Sequence, residues 1–437
     1  MTAISRFCSP FRWLLLLASL VQFAQSQELT LRHAIDLALT HSSVMGIAES
    51  DQRRAYETYR EAHGVYTPQV TVGSGVGYAY GFPLSLEGSA PTIFNITAQS
   101  YLLNAAQREF IRAAKAEWSA STAQSQDTRD KVLLDVVTTY CELNQWERKL
   151  PILYAEQKVT RDMQYAARQR VKEGVDAPLE ETKVKLKAAQ SNLRMVQAEG
   201  SADVLRRHLA ELTGIPAPSI TTVTNSIPPL PEVDQGEEEA PGTLESAPVV
   251  ESANLHAQAE ELRARGEHKA FRPTVDVAMQ YGLINSTLTN YEQFFRPGTF
   301  TSNNVTAGLV IRFPFLNAPQ RAHAEAADAE ALSARKAAEN TKGELSNRIA
   351  KLQNMVRQLS AARNVAQIQY ELMQAQLESA QVRTQAQTAT LRELQDASLQ
   401  AVESSGGLRD SELDLERAQL QLLQATRRLE SWADAAK

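Results

Sequence analysis

Side chains that could do chemistry are few in this chain, and they are scattered. Its seven histidines are spread over 437 residues. His33 and His41 could share a helix face, but two turns separate them by about 12 Å, too far for one metal ion. No Cys/His cluster is present in the sequence. The G-x-G within Gly73-Ser74-Gly75-Val76-Gly77 lies in a strand-like alternation with no helix after it, so it is not a dinucleotide loop. Neither a phosphate loop with its Lys nor a nucleophile elbow is found. No enzymatic activity, cofactor or resident metal is expected. Cys141 reads as a small apolar residue on a packed helix face. What remains is charge at defined spacing. Glu393 and Asp396, at i and i+3, share one helix face. Arg383 precedes them, and Arg170 and Glu180 hold the corresponding places earlier in the chain.

That correspondence is a duplication. Leu103-Asn104-Ala105-Ala106-Gln107-Arg108 recurs as Leu316-Asn317-Ala318-Pro319-Gln320-Arg321, 213 residues later. The offset then holds without gaps for over a hundred residues, pairing Arg170 with Arg383, Glu180 with Glu393 and Thr213 with Thr426. Two copies of one structural unit follow. The expected organisation is a signal peptide at 1–26, a first repeat at 27–214, an irregular acidic Pro-rich linker at 215–246 (an equatorial region) and a second repeat at 247–437.

Arg6, Arg12 and the apolar run Trp13 to Ala24 read as a secretory signal, too short to span a bilayer as a helix. Its loss takes the formal charge from −6 to −8, a poor balance for nucleic-acid binding. Cys8 leaves with it, so Cys141 has no disulfide partner. Aromatics are only 6% of the chain, while Ala, Gln, Glu, Leu and Arg crowd the long segments. That composition suits extended helices.

Leu29 to His63 reads as a helix, with Leu31, Ala34, Ile35, Ala38 and Leu39 on one stripe. At Tyr66 the period changes to two. Val70, Val72, Val76, Tyr78, Tyr80 and Phe82 sit on one parity; small or polar residues from Gln69 to Gly81 sit on the other. After a loop at Pro83 to Thr92, a return strand runs from Phe94 to Leu102. The second repeat does the same from Val275 to Leu283 and from Val305 to Phe313. Here Asp276 and Arg312 fall on the polar parity, as in a strand with a watery inner face. Each return strand leads into a very long helix, from about Asn104 to Lys172 and through Leu345, Ile349, Leu352, Val356 and Leu359. That seam predicts coiled-coil packing, and seventy residues span roughly 100 Å. The first helix turns back at Gly174-Val175-Asp176-Ala177-Pro178, Gly ending one helix and Pro opening the next. The second turns at Gln387-Thr388-Ala389-Thr390-Leu391, with neither. Return helices are expected at Leu179 to Leu212 and Leu391 to Trp432, the second interrupted at Gly406-Gly407.

Four strands cannot close a bilayer-spanning sheet, because exposed edges leave backbone groups unsatisfied and the smallest barrels have about eight strands. Two, three or four copies would satisfy the arithmetic. A soluble periplasmic coiled-coil adaptor or scaffold is the alternative. It also has long helical hairpins, but lacks two matched pairs of alternating strands.

The ordered series resembles the TolC-type outer-membrane efflux proteins over nearly the whole mature chain. It consists of Leu29-Thr30-Leu31-Arg32-His33-Ala34-Ile35, Val65-Tyr66-Thr67-Pro68-Gln69-Val70 with its repeat Phe271-Arg272-Pro273-Thr274-Val275, and Ile311-Arg312-Phe313-Pro314-Phe315-Leu316. The first copy lacks Pro at this last junction (Ser100-Tyr101-Leu102), so a gentler bend is expected there. The resemblance implies a mainly α fold with a small β part. Four strands per chain would form a trimeric 12-stranded barrel continued by an α-helical barrel. It implies a passive exit duct in the outer membrane of a Gram-negative bacterium, with a large periplasmic extension, serving tripartite efflux or type I secretion. The partners implied are further copies of the chain, a periplasmic adaptor with an inner-membrane pump, and outer-membrane lipid. The carry-over also places a periplasmic gate at Glu393 and Asp396, with Glu180, Arg383 and Arg170 beside it. Adaptor contacts would fall on the hairpins at Gly174, Pro178, Gln387 and Thr388.

Overall fold

The computed structural model describes residues 27–75, 77–78, 80–81, 92–231, 244–294, 297–299, 301–315, 317–388 and 390–435. The signal segment, the loop at 83–91 and the acidic run of the linker lie outside them. Contacts divide the chain into two compact units, and each repeat contributes to both.

The unit of residues 47–128 and 239–347 carries the sheet. Its strands are β2 (Gln69–Gly73), β3 (Thr92–Leu103), β5 (Thr274–Ile284) and β6 (Asn303–Arg312), antiparallel in the order β2-β3-β5-β6. Register, rather than composition, aligns the parities. Val70 faces Ala98 and Val72 faces Ile96; Phe94, Ile96 and Ala98 face Leu283, Tyr281 and Met279; Met279 and Val277 face Ala307 and Leu309. One face is therefore apolar across all four strands, because a strand's side chains alternate with period two. Much of it is open: Val70 is 62% exposed, Val305 62% and Leu309 65%. The opposite face carries Thr71, Asn95, Thr97, Gln99, Gln280 and Thr306.

Two expectations change here. The first strand is Gln69–Gly73 and does not continue through the described residues 74, 75, 77, 78, 80 and 81, where glycines at 75, 77 and 81 weaken strand pairing; Val76 and Phe82, expected on its apolar parity, lie outside the described residues. Beyond it, Ser74 Oγ donates to Ile93 O at 2.6 Å and Gly81 N–H to Asn290 Oδ1 at 2.9 Å. Asp276 is not wet: it is 0% exposed and accepts from Arg312. The two strand-to-helix junctions also differ as their sequences suggest. Asn104 follows β3 directly, and its Oδ1 accepts from Ala106 N at 3.1 Å and Gln107 N at 3.0 Å. Its repeat equivalent Asn317 caps only after an irregular stretch containing Pro314, accepting from Gln320 N at 3.2 Å.

Within this unit, α2 (Ser43–Gly64) packs on α3 (Ala105–Lys172) through Tyr59 stacked on Trp118, ring centroids 6.0 Å apart. The helix α5 (Pro248–Lys269) meets α3 closely at Gly266, where a Cβ would lie 2.5 Å from the Phe110 ring.

The other unit comprises residues up to 46, 129–238 and 348–437. Gln27–Leu29 (β1) pairs in parallel with Ile220–Thr222 (β4), so the start of the presumed linker is a strand. Against this small sheet pack α1 (Leu31–His41), the middle of α3, α4 (Pro178–Thr213), the end of α7 (Leu391–Ala425) and α8 (Leu429–Asp434). Tyr140, 0% exposed, sits at the centre. Its hydroxyl donates to Leu29 O and accepts from Val223 N at 2.8 Å, with Ser226 Oγ at 3.0 Å. Burial pushes its phenol up. Cys141 is buried beside it, and burial holds the thiol well above its usual range. Ser42 takes an extended conformation and divides the expected Leu29–His63 helix into α1 and α2.

The long helices α3 and α6 (Ala318–Gln385) each run for 68 residues. Pro151 lies inside α3 without ending it. Gly406-Gly407 does not interrupt α7. Two glycines cost about 2 kcal/mol relative to alanine, too little to break a helix of 35 residues. The break comes instead at Thr426-Arg427-Arg428, before α8. No described helix is long and apolar enough to cross a membrane.

Candidate functional site

The duplicated Arg and acid positions converge at the two helical turns, both in the same unit. Lys172 ends α3 and Pro178 opens α4, the proline tolerated because an N–H at the first helical position has no partner anyway. Gly174 adopts φ 74°, and Val175 N–H donates to Arg170 O at 2.9 Å. The second turn builds the same geometry from other residues. Gln387 adopts φ 56°, and Thr388 N–H donates to Arg383 O at 2.8 Å. Gln387 is the repeat equivalent of Gly174. The start of α7 has no proline; instead Thr390 Oγ1 accepts from Glu393 N at 3.3 Å, an N-cap that fills the same need.

Side chains differ more than backbones. Arg170 grips Asp176 in its own turn, Nε to Oδ2 at 2.7 Å and a terminal nitrogen to Oδ1 at 3.1 Å. That carboxylate raises the guanidinium above its ordinary value. In the second repeat the position of Asp176 is Ala389, so Arg383 has no such acid. It reaches Glu393 on α7, at 3.4 Å. Arg383 thus meets one of the two acids, while Arg170 does not meet Glu180. Glu180 pairs with Lys183 at 3.0 Å.

Asp396 pairs with Lys187 at 2.7 Å, which joins α4 to α7. The sequence reading missed Lys187, because nothing in a linear pattern brings two residues 209 apart together. A cavity of about 340 Å³ lies between the turns, lined by Met163, Arg170, Glu180, Lys187, Gln395 and Asp396. Ion pairs on partly exposed side chains border it beside Met163 and Val184, and salt weakens such pairs. The arrangement sets acids against basic partners at both turns and links α4 to α7 through one of those pairs.

No protein-family model and no curated protein sequence matches the chain. Solved structures do. CusC, described for conformational changes accompanying folding and transmembrane channel formation, superposes with a TM-score of 0.74 at 16% identity, covering 93% of this chain and 95% of that one. The outer membrane protein VceC from Vibrio cholerae gives 0.71 at 18% identity, covering 91% and 95%. The CmeC outer membrane channel of Campylobacter jejuni gives 0.75 at 14% identity, covering 91% and 86%. Agreement over nearly full length on both sides, at such low identity, is agreement of architecture: this chain has the fold of the outer-membrane channels, the one that its TolC-type resemblance implies.

Proposed function

We propose that this chain is the outer-membrane exit duct of a tripartite efflux or type I secretion assembly in a Gram-negative bacterium. Three copies would close a 12-stranded barrel and continue it as a helical tunnel in the periplasm. The observation that carries this reading is the four-stranded sheet whose apolar parity is exposed across every strand, while β2 and β6 present unpaired edges. In water such a sheet is an aggregation hazard. In lipid its edges must be paired, and joining β6 of one copy to β2 of the next does so. Exposed Leu179, Leu186 and Leu193 on α4, spaced by sevens, likewise seek a helix from outside the chain. A soluble periplasmic scaffold has no use for the apolar sheet face.

Glu393 and Asp396, tripled by the assembly, form the acidic ring at the periplasmic mouth, flanked by Glu180, Arg170 and Arg383. The turns at Gly174, Pro178, Gln387 and Thr388 meet the adaptor. The pump supplies energy and substrate choice, and the duct itself is no enzyme. In planar bilayers the purified protein should conduct with cation preference. Glu393→Ala with Asp396→Ala should weaken that preference and leave conductance intact. Unchanged selectivity would remove those acids from the pore. A protein released from membranes by carbonate, monomeric without detergent, would end the duct reading itself.

A further inference from the structure

We propose that α3 and α5 together hold a divalent transition-metal site made by Glu117, His256 and Glu260. His256 and Glu260, at i and i+4, project from one face of α5. Glu117 meets them from α3, so the site clamps two helices of one unit. One ligand atom of each lies within 4.8 Å of the others. His256 Nδ1 is 3.0 Å from a Glu117 oxygen. One imidazole nitrogen and two carboxylates, with a coordination position left for water, suit zinc or a similar borderline cation better than calcium or copper(I).

A cation already occupies the charge position. Arg263 pairs with Glu260 and lies 3.5 Å from Glu117. The guanidinium therefore neutralises the two carboxylates that a metal would use, and must leave when one binds. It has somewhere to go. Arg263 is partly exposed and borders a cavity of about 640 Å³. Glu267, one turn further along α5 at i+4, lines the same cavity and offers Arg263 a replacement partner. Four carboxylates (Asp51, Glu117, Glu267, Glu330) line it against Arg54 and Arg263, so its field favours cation approach. Binding is thus an exchange of one cation for another with no carboxylate left uncompensated. The site is independent of the duct reading.

The test is zinc titration of the purified full-length mature protein, free of any histidine tag, in detergent, by calorimetry and by thermal melting. One zinc per chain should bind and raise the melting temperature, as any ligand specific to the folded state does. His256→Ala should weaken binding about tenfold or more, since even outer-shell partners of a metal contribute that much. Arg263→Gln should tighten it. A purely structural role for Arg263 predicts the reverse, because losing its pairs would loosen the helices. Absence of zinc binding by the wild-type protein, equal affinity in His256→Ala, or weaker binding in Arg263→Gln would each overturn the proposal.

Discussion

At Tyr140 one hydroxyl serves Leu29 O, Val223 N–H and Ser226 Oγ at once. Leu29 and Ser226 are buried and Val223 is partly so, so Tyr140→Phe leaves polar groups there without this partner. The expected cost is about 1–3 kcal/mol, read as a lower denaturation midpoint. Backbone strain makes a second prediction at this scale. Among described residues, the two non-glycine positions with positive φ are Gln387 at 56° and Arg427 at 60°. Their repeat equivalents are Gly174 and Gly214, at 74° and 75°. The second repeat keeps the left-handed turns but has lost the residue that adopts them without strain. A side chain there costs roughly 1 kcal/mol relative to glycine. Gln387→Gly should therefore stabilise by up to about that amount, less the entropy glycine adds to the unfolded chain. Gly174→Gln should destabilise. Thermal melting of the two variants in parallel checks the sign of each.

Among the elements, α3 and α5 approach closely because position 266 has no side chain. With the Phe110 ring 2.5 Å from where a Cβ would lie, Gly266→Ala forces the ring or a helix to move. The expected cost is about 1–3 kcal/mol, and Phe110→Leu in the same chain should recover part of it. Full additivity of the two changes in unfolding experiments would place the clash elsewhere. The hairpin turns teach a related lesson about elements. Arg170 and Arg383 occupy equivalent places and make equivalent backbone bonds, yet one closes its own turn and the other reaches the next helix. The difference traces to Asp176 against Ala389.

For the whole molecule, the strongest constraint is the two-sided sheet. Leu309 and Thr306 lie on the same strand but on opposite parities. In the proposed barrel wall Leu309 would face hydrocarbon and Thr306 the lumen. Leu309→Arg should cost about 2–4 kcal/mol near the bilayer midplane and reduce assembly into membranes, scored by heat-stable oligomer on gels. Thr306→Arg should assemble normally. Equal effects would mean that the two faces of the sheet meet similar surroundings.

Much of this was legible in order along the chain. The duplication, the change from helical to alternating periodicity at Tyr66, the Gly174/Pro178 turn and the exposed apolar parity all follow from local spacing, because helix and strand periods are properties of a few consecutive residues. Even the turn at Gln387, which lacks both signals of its counterpart, could be placed from the repeat. Contacts between distant segments could not. The β1–β4 pairing, the burial of Asp276 under Arg312, the Lys187–Asp396 link and the meeting of Glu117 with His256 join residues 36 to 209 positions apart. No spacing rule reaches that far, since side-chain partners across such separations are set by how helices and strands pack. Sequence determined the long elements and which strand faces are apolar; tertiary structure decided where several of those elements end and which charges pair with which, because both depend on neighbours distant along the chain.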